Sequence, residues 1–173
     1  MLGIIGDFHI GERGGEAPKQ FLEILKRCEL IACTGDLTDP GVLGELEKIA
    51  KVKIAKGNMD WAPLPAKEAF VYKGLKIGLI HGSGIHPRGD LARLEEIGRE
   101  MGVDVLIHGH THKMDVRKVN GLVLLNPGSA TGARSGAGAK GNPSFLTLET
   151  EQKGIYIDSY EVNEVVEKRT YRL

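Results

Sequence analysis

The chain has 173 residues, the size of a single domain, and its 23 lysines and arginines balance 23 aspartates and glutamates. A net charge of zero gives no reason to expect a nucleic-acid backbone as a partner. Two cysteines are too few for a disulfide framework, and no stretch approaches the ~20 apolar residues of a membrane span. We therefore expect one cytoplasmic domain, residues 1–173, with no membrane partner.

Short apolar runs alternate with segments of helical periodicity through the first half of the chain. Strands are predicted at LGIIG, LIACTG, VKIAKG, LKIGLIHG and VDVLIHG. Helices are predicted at PKQFLEILKR, at GVLGELEKIA and at about residues 90–100. Strands that alternate with helices are typical of βαβ units, so this half predicts a mainly parallel sheet covered on both faces.

Short strands with period-two alternation replace the helices in the second half. MDVRKVNGLVLLN predicts a hairpin with a type I′ turn at Asn120-Gly121. Further strands are predicted at SFLTLET, GIYIDSYEV and EVVEKRTYRL, and the glycine-rich segment 136–141 is expected to be a mobile loop. AFVYKG is a candidate edge strand, and pairing of two such edges would make a homo-oligomer, which the sequence leaves open.

Five predicted strands end in a glycine beside a side chain that can bind a metal ion. These side chains belong to Asp7, Asp36, Asn58, His81 and His110. Each one alone is explained as well by a turn or a hydrogen-bonded polar residue, since Asp and Asn are common in turns and helix N-caps. In an α/β sheet, however, ligands bind outside the carboxyl ends of the strands, and five such ends together favour one shared site.

A histidine follows two of these residues at a spacing of two, which gives the pairs Asp7–His9 and His110–His112. In an extended chain such side chains share one side, ~7 Å apart along the backbone. The resulting seven ligands offer only nitrogen and oxygen, which suits Mn²⁺, Fe, Ni²⁺ or Zn²⁺ and disfavours Ca²⁺. Seven ligands exceed the needs of one tetrahedral ion but suit two ions ~3.5–4 Å apart that share a carboxylate and clamp an in-line phosphoryl displacement.

In this order, the segments GDFH, GD, GN, IHG and GHTH resemble the calcineurin-like metallophosphoesterases, most closely their YfcE-like branch of small phosphodiesterases. NPGSATGA and PSF fit the same branch and are also similar to the metallophosphoesterase-fold subunit of retromer. The resemblance covers almost the whole chain. It implies an α/β fold, a sandwich of two mixed β-sheets flanked by helices, with the metal site at one end of the sandwich.

The same resemblance implies a ligand assignment and a reaction. One ion would be held by Asp7, His9 and His112, the other by Asn58, His81 and His110, and Asp36 would bridge them. A hydroxide bridging the two divalent ions, Mn²⁺ before the other candidates, would attack a phosphodiester in line with the leaving group. The catalytic residues would be Asp36, Asn58 and His81, and the expected substrate is a small phosphodiester.

Met59 departs from the family pattern, because many relatives have a histidine at this place that is thought to protonate the leaving group. A thioether cannot donate a proton, which leaves protonation of the leaving group without an obvious agent. Asn58, His86 and Arg13 are candidates for substrate contact, although a surface position is the simpler interpretation of the last two. His108 lies in a predicted strand and is expected either to be structural or to support a metal ligand without binding the ion.

A second function class fits the same resemblance. The retromer subunit keeps the fold and uses its surface, so the chain would be a non-catalytic scaffold that binds metal structurally. The chain retains Asp36, Asn58 and His81, and an intact ligand set is expected if metal chemistry is the task.

Overall fold

The computed structural model of the chain describes residues 1–135, 138, 140–151, 154–163 and 165–173. In chain order the elements are β1 (Leu2–Ile5), α1 (Lys19–Leu25), β2 (Leu30–Cys33), α2 (Pro40–Ile49), β3 (Lys51–Ile54), β4 (Lys67–Tyr72), β5 (Leu75–Ile80), α3 (Leu91–Met101), β6 (Val105–Ile107), β7 (Met114–Val119), β8 (Leu122–Pro127), β9 (Ser144–Glu151), β10 (Gly154–Asn163) and β11 (Val165–Arg172). These include every predicted helix and strand. Residues 136, 137 and 139 of the predicted mobile loop lie outside the described residues.

The strands form two mixed sheets. One has the order β11-β10-β9-β1-β2-β3 and the other the order β4-β5-β6-β8-β7. β1, β2 and β3 run parallel, as do β5, β6 and β8, and antiparallel strands extend both sheets. The predicted sandwich of two mixed sheets is confirmed. The mainly parallel sheet inferred from alternation is wrong, because the alternating strands divide between two sheets and β9 pairs antiparallel with β1.

Apolar side chains fill three layers of the molecule. Between the sheets lie inward-facing residues of both, such as Ile4 of β1 and Leu79 of β5. Phe21 of α1 and Leu46 of α2 pack on the six-stranded sheet, whereas Leu94 of α3 packs on the five-stranded sheet. Both faces of each sheet are therefore covered, which explains why successive residues of the parallel strands are apolar.

Capping residues set where α2 and α3 begin. The Asp39 carboxylate accepts from the Gly41 amide (2.8 Å), and the Asp90 carboxylate accepts from the Arg93 amide (2.8 Å). Gly102 caps the C-terminus of α3, and its left-handed φ of 63° suits a residue without a Cβ. Among the described residues, no helix combines the length and apolarity needed to cross a membrane.

The turns that follow the parallel strands meet at one end of the sandwich. In the six-stranded sheet the Asp7 amide donates to Gly35 O (2.8 Å), and in the other sheet the Gly109 amide donates to His81 O (2.9 Å). His81 Nδ1 donates to Thr34 O (2.7 Å) and so joins the two sheets. All the turns that carry predicted ligands therefore face one another.

Candidate metal centre

Most of the predicted ligands have an unusual backbone conformation. Left-handed φ angles occur at Asp7 (51°), His9 (49°), Asp36 (54°), His110 (67°) and His112 (58°). Such conformations cost a non-glycine residue of order 1–3 kcal/mol and persist where surrounding contacts impose them, often at functional sites. The predicted extended geometry of the two ligand pairs is therefore wrong. β1 and β6 have already ended, and tight turns direct both members of each pair inward.

Asp7, His9 and His112 form the first cluster, with one ligand atom from each within 4.8 Å of the others. His112 Nε2 lies 3.1 Å from His9 Nε2 and 3.3 Å from Asp7 Oδ1. Because His112 Nδ1 donates to Ala133 O (2.7 Å), its Nε2 presents a lone pair to the cluster. Asp7 Oδ2 accepts from the His110 amide (2.9 Å), but its buried Oδ1 has no hydrogen-bond partner among the described residues.

Asp36, His81 and His110 form the second cluster. The His81 ring is oriented by its hydrogen bond to Thr34 O, which directs the Nε2 lone pair inward. That nitrogen lies 3.3 Å from Asp36 Oδ2, 3.2 Å from His110 Nδ1 and 3.1 Å from Asn58 Oδ1. Oxygen and nitrogen atoms that can accept thus converge on one point, where a cation or a proton is needed to hold them together.

Asp36 connects the two clusters. Its Oδ2 lies 3.3 Å from His9 Nε2 and 3.3 Å from His81 Nε2. Its Oδ1 accepts from the Met59 amide (2.7 Å), so the carboxylate is held with one oxygen facing both clusters. This is the position that a bridging carboxylate requires.

Asp60 holds the Asp36 turn, although the sequence does not predict a role for it. Its buried carboxylate accepts from the amides of Asp36 (2.9 Å), Leu37 (2.8 Å) and Gly57 (2.8 Å). Gly57 allows this close approach, because a Cβ there would lie 2.1 Å from Asp36 Oδ1. The segment GNMD ends in Asp60, but the amides that it binds could not be identified without the fold.

The segment NPGSATGA supports the first ligand turn. Ser129 Oγ donates to Asp7 O (2.6 Å), and Thr131 Oγ1 donates to Phe8 O (2.6 Å). The sequence marks this segment as a motif but does not reveal these contacts, because the partners lie 122 and 123 residues apart.

Burial and charge shift the pKa values of the ligands. Burial lowers the pKa of His81, but its hydrogen bond with Asp36 and the charges of Asp7 and Asp36 outweigh burial, so this pKa is raised. Burial raises the pKa of Asp36, but the hydrogen bond and charge of His81 bring it below its usual range. The pKa of His110 falls to about 4 through burial and the nearby positive charges of His81 and Arg88. The surroundings therefore favour a proton on His81 more than one on His110.

The candidates for substrate contact differ in position. Arg13 Nη2 lies 3.2 Å from His9 Nδ1, so the loop after β1 brings a guanidinium to the first cluster. Asn58 is exposed while its Oδ1 faces His81. His86 is exposed and makes no hydrogen bond within the described part of the chain. The structure thus brings two of the three candidates to the centre.

This arrangement fits divalent cations. Imidazole nitrogen with carboxylate and amide oxygen is a donor set that suits Mn²⁺, Fe, Ni²⁺ and Zn²⁺. Buried polar atoms normally have partners, and a cation between Asp7 and His112 would supply the one that Asp7 Oδ1 lacks. The two clusters on either side of Asp36 provide two such positions.

A cavity of about 990 Å³ adjoins the first cluster, and His112 forms part of its wall. His108, which follows β6, also lines this cavity. It is buried, and burial lowers its pKa to about 4. Its Nδ1 lies 3.1 Å from Asn126 Nδ2, a contact that agrees with the structural role expected from the sequence.

Sequence comparison decides the family. The sequence profile of the calcineurin-like phosphoesterase superfamily domain matches residues 1–153 of the chain. The chain belongs to this superfamily. The resemblance inferred from the five short motifs is therefore confirmed.

Relatives and solved structures agree with this assignment. A probable metallophosphoesterase of Methanocaldococcus jannaschii is 45% identical over 131 residues, 76% of this chain and 68% of that protein. Another, of Methanothermobacter thermautotrophicus, is 43% identical over 134 residues, 76% and 77% of the two chains. Wild-type Vps29 of Entamoeba histolytica complexed with Zn²⁺ superposes with a TM-score of 0.91 at 36% identity, covering 99% of this chain and 98% of that chain. The fold is thus the metallophosphoesterase fold of Vps29.

Proposed function

We propose that the protein is a phosphoric diester hydrolase that works with two divalent metal ions. The observation that carries the proposal is the convergence of imidazole and carboxylate lone pairs in two clusters on either side of Asp36. The first ion would be held by Asp7, His9 and His112, and the second by Asn58, His81 and His110, with Asp36 shared between them.

When bound, such ions make a water nucleophilic near neutral pH and neutralise charge that develops on a phosphoryl group. The residues of the chain position the reacting groups. Asp36 fixes the separation of the two clusters, and the Met59 amide prevents its carboxylate from rotating. Asn58 is exposed beside His81, where a phosphate oxygen can reach its amide. Asp36, Asn58 and His81 are therefore the residues to which we assign catalysis.

Manganese is the ion that we propose first, and Ni²⁺, Fe and Zn²⁺ suit the same donors. The two clusters contain no thiolate, which is the soft ligand that selects zinc over harder ions. Zinc nevertheless occupies the related Vps29 structure, so metal identity is part of the test.

A small phosphodiester is the substrate that these residues favour. The Arg13 guanidinium lies beside His9 and carries the positive charge that an anionic diester needs, and His86 is a second, more distant candidate. Met59 offers no proton, so diesters whose leaving groups depart readily as anions should react best.

The remaining proposals concern the setting of the reaction. We place the protein in the cytoplasm as one domain over residues 1–173, with neither a membrane nor a nucleic-acid backbone as partner. The first four residues of AFVYKG lie in β4, an edge strand of the five-stranded sheet. Pairing along that edge is the form of homo-oligomer that the proposal allows.

Turnover of bis(4-nitrophenyl) phosphate tests the proposed reaction. The protein is chelated, reloaded with Mn²⁺ and compared with an Asp36→Asn variant prepared in the same way. Metal-dependent release of nitrophenolate that the variant lacks is the expected result. Equal release by both proteins would contradict the proposal.

A non-catalytic scaffold that binds metal structurally is the alternative, and the close superposition on Vps29 favours it. Elemental analysis separates the two functions when combined with the turnover assay. Two ions per chain with turnover support the hydrolase, whereas bound metal without turnover of any aryl diester supports the scaffold.

A further inference from the structure

The cavity beside the first cluster is large enough for a small organic molecule. Its volume is about 990 Å³, and it meets the metal centre at His112. Apolar side chains of Leu91, Leu94 and Met114 form part of its lining. Cavities of this size with apolar walls and a few polar groups commonly bind ligands.

Asn126 fixes the tautomer of His108 in this lining. Asn126 Oδ1 accepts from the Gly128 amide (2.9 Å), so its Nδ2 is the atom that faces His108 Nδ1 at 3.1 Å. The same Nδ2 also lies 3.2 Å from Gly109 O and 3.0 Å from Thr111 Oγ1. An amide nitrogen cannot accept, so a proton on His108 Nδ1 would face a donor, which favours the lone pair on Nδ1. The ring is then neutral, and its single N–H is on Nε2.

This Nε2–H group has no acceptor among the described residues, although His108 is only 5% exposed. A buried donor without an acceptor is unfavourable, and most such groups in proteins are paired. His108 belongs to the lining of the cavity, and we take a ligand there as the source of the missing acceptor.

The charges around the cavity indicate that this acceptor is neutral. The Arg117 guanidinium is paired with the Asp115 carboxylate, and its Nη2 lies 2.7 Å from Oδ1. Lys113 and Arg88 also line the cavity but are exposed, and Arg88 donates to the Ser135 hydroxyl. An anion beside His108 would be buried without a buried cation, which is strongly unfavourable.

Resting on the proposed hydrolase function, we propose that the cavity binds the organic arm of the diester and that His108 Nε2–H donates to a neutral acceptor on it. The preferred substrates are then phosphodiesters whose arm has an apolar body with a carbonyl oxygen or ring nitrogen. His108 is a specificity residue in this account and takes no part in the bond cleavage.

Two diesters of the same shape test the proposal, 3-acetylphenyl 4-nitrophenyl phosphate and 3-isopropenylphenyl 4-nitrophenyl phosphate. Both release the same nitrophenolate, but only the acetyl compound has an acceptor. With the Mn²⁺-loaded protein, and after division by the rates of alkaline hydrolysis, we expect kcat/KM to be about tenfold higher for the acetyl compound. His108→Phe keeps a flat ring without the donor, and it should bring this ratio to about one.

A ratio near one in the wild-type protein would overturn the proposal, because it would mean that the arm of the diester does not bond to His108. A preference that survives in His108→Phe would overturn it as well. If that variant does not fold, the wild-type ratio decides alone. If neither diester is hydrolysed, the hydrolase proposal fails, and calorimetric binding of both compounds to the Mn²⁺-loaded protein then tests the cavity separately. Tighter binding of the acetyl compound would support it, and equal binding would contradict it.

Discussion

The two ligand clusters contain the same residue types, an aspartate and two histidines each, but their environments differ. In the second cluster His81 Nε2 lies between Asp36 Oδ2 and Asn58 Oδ1, at 3.3 Å and 3.1 Å. Burial lowers the pKa of His81, but the hydrogen bond with Asp36 and the nearby carboxylates raise it overall. A proton on His81 can therefore hold this cluster together when no metal is bound.

In the first cluster His9 Nε2 likewise lies 3.3 Å from Asp36 Oδ2, but one carboxylate oxygen stays unpaired within the described part of the chain. Asp7 Oδ1 is without a hydrogen-bond partner among the described residues. The pKa of His9 is lowered, chiefly by burial and also by the charges of Arg13 and His112, against the opposing charge of Asp36. The comparison teaches that a proton can replace the cation in the second cluster, whereas the first is complete only when it holds a metal ion.

The largest effect is expected at Asp36, because its carboxylate faces both clusters. Asp36→Asn keeps the shape but removes the shared negative charge, and we expect kcat/KM for bis(4-nitrophenyl) phosphate to fall about 10³-fold. Asp39→Asn is the matched control, since asparagine serves equally well at this exposed helix N-cap. Activity of Asp36→Asn close to that of the control would contradict the shared role of the carboxylate.

Removal of the metal should have the next largest effect, a loss of folded-state stability, because it leaves Asp7 Oδ1 of the first cluster without a partner among the described residues. At a free metal concentration of 100 times Kd, binding stabilises the folded state by about 2.7 kcal/mol, which corresponds to a rise in Tm of about 5–11 °C for this chain length. Scanning calorimetry of chelated and Mn²⁺-loaded protein measures the difference. Equal Tm values in the two preparations would argue against a metal centre.

Asp7→Asn sharpens the comparison, because it should stabilise the metal-free protein and destabilise the Mn²⁺-loaded protein. Without metal, the new amide can donate to the His112 Nε2 lone pair, and loss of the unpaired carboxylate oxygen should stabilise the protein by about 1–2 kcal/mol. With Mn²⁺ present, the variant should be the less stable protein because a charged ligand is lost. Asp90→Asn, at a half-buried helix N-cap, is the control, and destabilisation of the metal-free Asp7→Asn protein would contradict the account.

The smallest effect is expected at Arg13. Arg13 donates to His9 Nδ1 in this structure. If His9 binds a cation through Nε2, its ring proton must lie on Nδ1, which can then no longer accept. The guanidinium should therefore turn away from His9 toward the substrate. In Arg13→Gln we expect KM to rise about 2–5-fold with little change in kcat. Arg27→Gln, at an exposed arginine after α1, provides the control. An equal change in KM in both variants would show that Arg13 does not contact the substrate.

The sequence is informative about the ligands because they follow apolar strands directly. Asp7, Asp36 and His81 each stand next to a glycine at the end of a predicted strand. Parallel pairing of β1 with β2 brings the first two together, whereas His81 approaches them from the other sheet. The conformation of the turns could not be predicted in the same way. Left-handed φ angles at Asp7 and His9 are imposed by contacts such as that of Ser129 with Asp7 O, which join distant parts of the chain.

The division of the strands between two sheets was also beyond the local pattern. Alternation of strands and helices does not distinguish one parallel sheet from two. The two sheets are separated by a shared core that contains Ile4 of one and Leu79 of the other. Asp60 illustrates the same limit within the site, because its partners Leu37 and Gly57 are amides without any side-chain signature.

Anomalous diffraction at the manganese edge, from crystals of the Mn²⁺-loaded protein, tests the central claim most directly. The account predicts two peaks per chain. One should lie among Asp7, His9 and His112, the other among Asn58, His81 and His110, and Asp36 should contact both. A single peak, or two peaks without Asp36 between them, would contradict the two-cluster account.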